Sequence, residues 1–123
     1  SCPEWPERIQ MVFDETAPPA SESGVLDAIA RCARAWRGAA IELTGCVAND
    51  EICDRTHHCH PYDEAYAMAL GDRMARGARS ALEQRGVDPA RVQTRSVGIA
   101  RWVCTDATAE CRDRNRRVEV THR

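Results

Sequence analysis

The sequence predicts an α+β two-layer sandwich of order βαβαββ, with two main helices on one face of a mixed sheet. Three observations predict it. The stretch from Asp63 to Val87 places Tyr66, Leu70, Met74, Ala78 and Leu82 on a four-residue spacing, with Ala67, Ala75 and Ala81 beside them. That is the apolar stripe of a helix lying on a sheet. Short apolar segments near residues 8–13, 39–44, 91–99 and 116–121 read as strands, the first by its period of two. Finally, 123 residues are enough to bury roughly two-thirds of the unfolded surface in one core, so residues 1–123 read as a single domain.

In chain order, Ser1 to Glu7 is a polar lead-in containing proline. Arg8 to Phe13 alternates, with Ile9, Met11 and Phe13 on one face of a half-buried strand. Pro18-Pro19 forces a loop, because proline cannot join a helix interior. Ser21 or Ser23 can cap the helix that follows. That helix runs to about Trp36, with Val25, Leu26, Ile29, Cys32, Ala33 and Trp36 inward, and Gly38 ends it. Ala39 to Thr44 is a second strand with Ile41 and Leu43 inward. Gly45 to Pro61 is polar and crowds His57, His58 and His60 among cysteines. In the main helix, Gly71 and Gly77 each cost about 1 kcal/mol against alanine, which close packing would explain, and Gly86 closes it. Asp88-Pro89 has the chemistry of a single helical turn. Arg91 to Ile99 is the third strand, Trp102 to Cys111 a loop, and Arg116 to Thr121 the last strand, with Val118 and Val120 inward.

Composition narrows function. A net charge of −2 implies no polyanion, so no nucleic-acid partner is expected. Every basic residue is arginine, as expected of a GC-rich genome rather than of a function. No apolar run approaches the roughly 20 residues that span a bilayer, and no signal peptide is evident, the pattern of a mature or excised domain. Seven cysteines without paired C-x-x-C motifs read as disulfides in an oxidising compartment. Cys104–Cys111 is the first expected bridge, since it brackets the loop before the last strand. A second is expected among Cys46, Cys53 and Cys59: Cys46–Cys59, which would close the whole insert, is favoured over Cys53–Cys59. Cys2 then pairs within the fold or with another chain, while Cys32 reads as a buried helix residue. Trp5, Trp36 and Trp102 are too scattered in sequence to suggest a sugar platform and read as packing.

The main helix also carries a resemblance. Tyr66, Leu70 and Ala75, then Gly86-Val87, match without a gap the Y-N-x-x-L-S-x-x-R-A…G-[VI] helix of the OmpA-like (OmpA/MotB/Pal) peptidoglycan-binding domain. Phe13 in the first strand, Gly45 after the second, and Asn115-Arg116-Arg117-Val118-Glu119-Val120 at the end complete the family's order. The resemblance covers roughly residues 8–121. It implies a domain that holds the diaminopimelate residue of the cell-wall stem peptide, whose ammonium pairs with an aspartate and whose carboxylate takes an arginine fork. It also implies a place in the periplasm, associated with the outer membrane.

This chain departs from the family at both charges. The aspartate position falls on Ala48 counted from Gly45, or on Cys59 counted back from Tyr66; the arginine position falls on Met74, and the asparagine after tyrosine on Ala67. Gly45 to Tyr66 is longer than in the family, and residues 45–61 read as a Cys/His-containing insertion. Asp50, Glu51 or Asp54 could reach the pocket from it, with Asp50 preferred for its place nearest the second strand. Arg73, about 100° round the helix from Met74, is the nearest replacement for the arginine. Met74 at stripe spacing also reads as core that has filled an abandoned pocket. Cys53, His57, Cys59 and His60 are metal-binding residue types, but a disulfide-stapled loop is the preferred reading, so no metal or cofactor is expected. No nucleophile elbow or phosphate loop is evident, and no enzyme is expected. Asn115-Arg116-Arg117 reads as the opening of the last strand rather than an anion site. Two functions follow: peptidoglycan binding through a rebuilt clamp, or a fold kept as a structural or protein-interaction domain whose contact surface is residues 45–61.

Overall fold

The computed structural model describes residues 2–48 and 63–123. Four strands, β1 (Arg8–Gln10), β2 (Ile41–Cys46), β3 (Val92–Gly98) and β4 (Arg117–His122), form one sheet in the order β1-β4-β2-β3. β2 and β3 run parallel, and β4 runs antiparallel to both β1 and β2. A mixed sheet results, as predicted. Helices α1 (Ser23–Ala35) and α2 (Glu64–Glu83) connect the strands, and a third, short helix, α3 (Ala109–Asn115), precedes β4.

The core lies between the sheet and α1 and α2. It gathers Ile9, Leu26, Ile29, Ile41, Leu43, Leu70, Met74, Leu82, Val118 and Val120 into one cluster. Leu70, Met74, Ala78 and Leu82 of the predicted stripe are buried, whereas Tyr66 at its start is exposed. Asp63 caps α2 by accepting from the Tyr66 amide at 3.2 Å, and Gly86 turns the chain after the helix with φ of 87°. The two costly glycines of α2 are explained by close approach. Gly71 sits against Gly45 of β2, where a Cβ on Gly45 would overlap the Gly71 carbonyl; a Cβ on Gly77 would overlap the Thr16 carbonyl. Helix and strand therefore touch backbone to backbone at the end of β2.

Several expectations are corrected. β1 stops at Gln10 because the Val12 carbonyl turns to accept from Glu15 and Asp14 takes φ of 62°. Met11 stays buried, but Phe13 swings outward beneath the Arg116 guanidinium, 5.5 Å from its ring centre. Neither Ser21 nor Ser23 caps α1: a 3-10 turn over Ala20–Glu22 leads into it without a side-chain cap. Trp36 is 59% exposed, because the helix has ended at Ala35 and the backbone at Trp36 has left helical geometry. β2 lies two residues later than expected. Part of the expected loop 102–111 is α3, whose Thr108 hydroxyl caps the Cys111 amide at 3.1 Å.

The expected Cys104–Cys111 disulfide is present, with Cα atoms 5.4 Å apart. Cys2 pairs with Cys32 of α1, 4.7 Å between Cα atoms, and so pins the lead-in to the helix layer. Cys46 is a buried free thiol, not half of a Cys46–Cys59 bridge. As the last residue of β2 it points away from the helices, and its sulfur approaches the Thr44 carbonyl at 3.7 Å. Cys53 and Cys59, with the alternative Cys53–Cys59 bridge and the histidines near them, lie outside the described residues.

Candidate ligand-binding site

The place where the resemblance expects a clamp is the end of the sheet where β2 and β3 finish. A register shift after Gly45 pairs Cys46 with Gly98, and the Val47 amide donates to the Gly98 carbonyl at 2.8 Å. Gly98 itself takes φ of 55° and packs against Ala67 and Met68 of α2. The Trp102 indole donates to the Val47 carbonyl at 3.1 Å and so ties the β3–α3 segment across the exit of β2. Gly45, Cys46, Val47 and Ala48 are all buried.

Ala48 and Met74, at the positions of the family's aspartate and arginine, are both interior residues; Met74 is 1% exposed. The reading of Met74 as core matches its place in the cluster. Arg73 is exposed on α2, where its neighbours Asp72 and Arg76 form an ion pair at 2.8 Å. Asp50, Glu51, Asp54 and Cys59 lie outside the described residues, so the structure brings no acid to Arg73 among the described ones. Among these residues no cluster of His, Cys, Asp and Glu could hold a metal ion, and no helix is long and apolar enough to cross a membrane.

On the sheet face opposite the helices, the same end is built from charge. Arg117 is 2% exposed yet fully engaged. It donates to the Asn115 carbonyl at 3.0 Å, the Arg101 carbonyl at 2.9 Å and the Glu119 carboxylate at 2.7 Å. Arg101 meets the other oxygen of Glu119 at 2.7 Å. Burial raises the Glu119 carboxyl, but the hydrogen bonds from Arg101 and Arg117 outweigh it and hold the group below its ordinary value. Arg101 in turn is raised by that carboxylate. Burial likewise pushes the Cys46 thiol up to about 11, against the pull of Arg117, so it stays protonated and is a poor nucleophile at neutral pH. Asn115 holds the neighbouring segment, accepting from the Val103 and Cys104 amides and donating to the Cys104 carbonyl. The Asn115-Arg116-Arg117 run is thus structural, as its place at the strand opening suggests. Arg101 and Trp102 are the contributors that sequence reasoning misses, since neither lies in a patterned element.

No protein-family model matches the chain. Over 57 residues, 46% of its length, the chain is 42% identical to Outer membrane protein A of Bordetella avium. Over 54 residues, 44% of its length, it is 41% identical to the probable lipoprotein YiaD of Escherichia coli strain K12. These matches span 29% and 25% of the two proteins, so the chain corresponds to under a third of either. Among solved structures, the peptidoglycan-associated lipoprotein from Burkholderia pseudomallei superposes with a TM-score of 0.79 at 20% identity, covering 96% of this chain and 91% of that one.

Proposed function

We propose, from the OmpA-like fold that this chain adopts, that it is a non-catalytic cell-wall-binding module of the periplasm, associated with the outer membrane. The observation that carries this reading is the extent of the likeness: nearly the whole chain follows a peptidoglycan-associated lipoprotein. The envelope names of the sequence relatives point the same way. The ligand is the diaminopimelate residue of the stem peptide. Its carboxylate pairs with Arg73 and its ammonium with Asp50, since the family's own positions are occupied by Ala48 and Met74.

Purified peptidoglycan sacculi test it directly. The protein should co-sediment with sacculi and be released by free diaminopimelate. Arg73→Ala should weaken that binding by about 2–5 kcal/mol, the usual cost of breaking a desolvated charge pair. Retention that ignores both the competitor and the substitution would remove the clamp assignment. The burial of Ala48 and Met74 favours a second reading, in which the pocket is closed and residues 45–61 serve as a contact surface for a protein partner. Protein that never sediments with sacculi would select it.

A further inference from the structure

At the opposite end of the sheet, the fold assembles a groove that neither sequence pattern nor the family's ligand accounts for. It has a volume of about 600 Å³ and is lined by Trp5, Trp36, Arg37, His122 and Arg123 among others. Trp5 and Trp36, far apart in sequence, share it. Its walls are built rather than incidental. The lead-in carrying Trp5 is pinned to α1 by Cys2–Cys32, and the Trp5 ring stacks on His122 of β4 with centroids 4.4 Å apart and planes 15° from parallel. The turn carrying Trp36 and Arg37 is held by one guanidinium. Arg91 donates to the carbonyls of Ala33 at 2.8 Å, Trp36 at 2.8 Å and Ala39 at 3.1 Å. A loop tied at three carbonyls presents its side chains in a fixed direction.

The chemistry of the lining selects a ligand class. Every charged side chain in it is basic and none is acidic, although the chain as a whole carries −2. Arg123 is only loosely occupied, 3.8 Å from Glu42, and Arg37 is exposed. An exposed indole offers a flat apolar face with a polar edge. That matches a pyranose ring, which has an apolar C–H face and hydroxyls at its rim. A guanidinium beside it supplies the fork for one carboxylate. The groove is open, which suits a chain that runs on past the site better than a small molecule needing enclosure.

We infer that the Trp5–Trp36–Arg37 groove binds a carboxylate-bearing saccharide, stacked on Trp36 with its carboxylate on Arg37. The chemistry of the groove does not depend on the function proposed above. Identifying the wall glycan as the source of that sugar does, and applies only to muramic acid residues whose carboxylate is not amide-linked to a stem peptide. The test is titration of the isotope-labelled protein with N-acetylmuramic acid, with N-acetylglucosamine as the neutral counterpart and a glutamate-rich peptide as the acidic counterpart. None of the three contains diaminopimelate. The acidic sugar should shift the Trp36 indole resonance saturably. Arg37→Gln should lower its affinity about tenfold, the loss of one charge-assisted contact, and leave the neutral sugar unchanged. Trp36→Ala, at an exposed position, should abolish binding of both sugars. Arg73→Ala should leave the titration intact, and Trp36→Ala should leave displacement from sacculi by diaminopimelate intact, so the two sites fail separately. No saturable shift, a Trp36→Ala variant that binds like the parent, or a peptide that binds as tightly as the sugar would each overturn the inference.

Discussion

The two ends of the sheet, about 17 Å apart along β2 at some 3.3 Å per residue, have been treated in opposite ways by the same fold. At the exit of β2, backbone meets backbone at Gly45 and Gly71, Met74 and Ala48 fill the interior, and on the outer face of the sheet Arg117 and Arg101 share Glu119. At the entry of β2, aromatic rings and guanidinium groups stand open around a groove. The difference teaches where recognition can persist. A charge that is already satisfied inside the fold has few donors left for a ligand, whereas one held open by its scaffold still has donors whose contacts can offset the desolvation cost of binding a partner.

The largest expected effect comes from forcing the closed end open. Met74→Arg introduces the arginine that the resemblance expects at this position, but here it would bury a guanidinium with no acid opposite among the described residues. It should destabilise the domain by about 3–5 kcal/mol, read as a lower denaturation midpoint with an unchanged slope. Adding Ala48→Asp should recover part of that loss by pairing. A Met74→Arg protein of parental stability that sediments better with sacculi would show the pocket is still present and merely uncharged.

At the open end, the corresponding change is removal of the Cys2–Cys32 bridge. Replacing both by serine frees a loop with a sequence separation of 30, which the chain-entropy estimate values at about 3–4 kcal/mol. Beyond that loss, the Trp5–His122 stack should loosen, seen as a change in the His122 ring resonances under conditions where the domain remains folded. The equivalent replacement of Cys104 and Cys111, a separation of 7, should cost less, about 2–3 kcal/mol. It should leave the His122 resonances unmoved. Equal effects of both pairs on His122 would erase the distinction between the ends.

The smallest effect returns to the closed end and is a pH dependence. The Cys46 thiol is raised in the folded state to about 11 from an ordinary value of 9.0. A raised folded value means the native state holds its proton longer than the unfolded chain. Stability is therefore unaffected below the unfolded value and falls as pH rises from there through the folded one. Cys46→Ala should flatten this alkaline limb in denaturation curves recorded across the range. Glu119 has the opposite sign: its lowered folded value contributes stability above the ordinary carboxyl range that is lost as pH falls through it. In keeping with its burial, Cys46 should resist alkylation in the native protein and react once it is unfolded. Labelling of Cys46 under native conditions would place the end of β2 nearer to solvent than described.

The sequence by itself determined the layer order, the main helix and its two ends, and the inward faces of the strands, because these depend on periodicities of two and 3.6 that neighbouring residues carry together. It also determined Cys104–Cys111, since a loop that short leaves few alternatives. It could show that Ala48 and Met74 carry no charge at positions where the resemblance expects charged residues. Helix α3 escaped because seven residues are too few for a stripe, although Thr108 and Glu110 together were a readable start signal. At Phe13 and Trp36 the element ends before the apolar pattern does, three residues short for β1 and one for α1, and a side chain beyond the end no longer follows the strand or helix period. Only the tertiary structure decided that Cys46 is a buried free thiol beside the Arg117–Glu119 pair. Only it brought Trp5, Trp36 and His122 together around a turn fixed by Arg91. Such contacts join residues separated by tens of positions, and their geometry depends on how the layers stack, which no local pattern encodes.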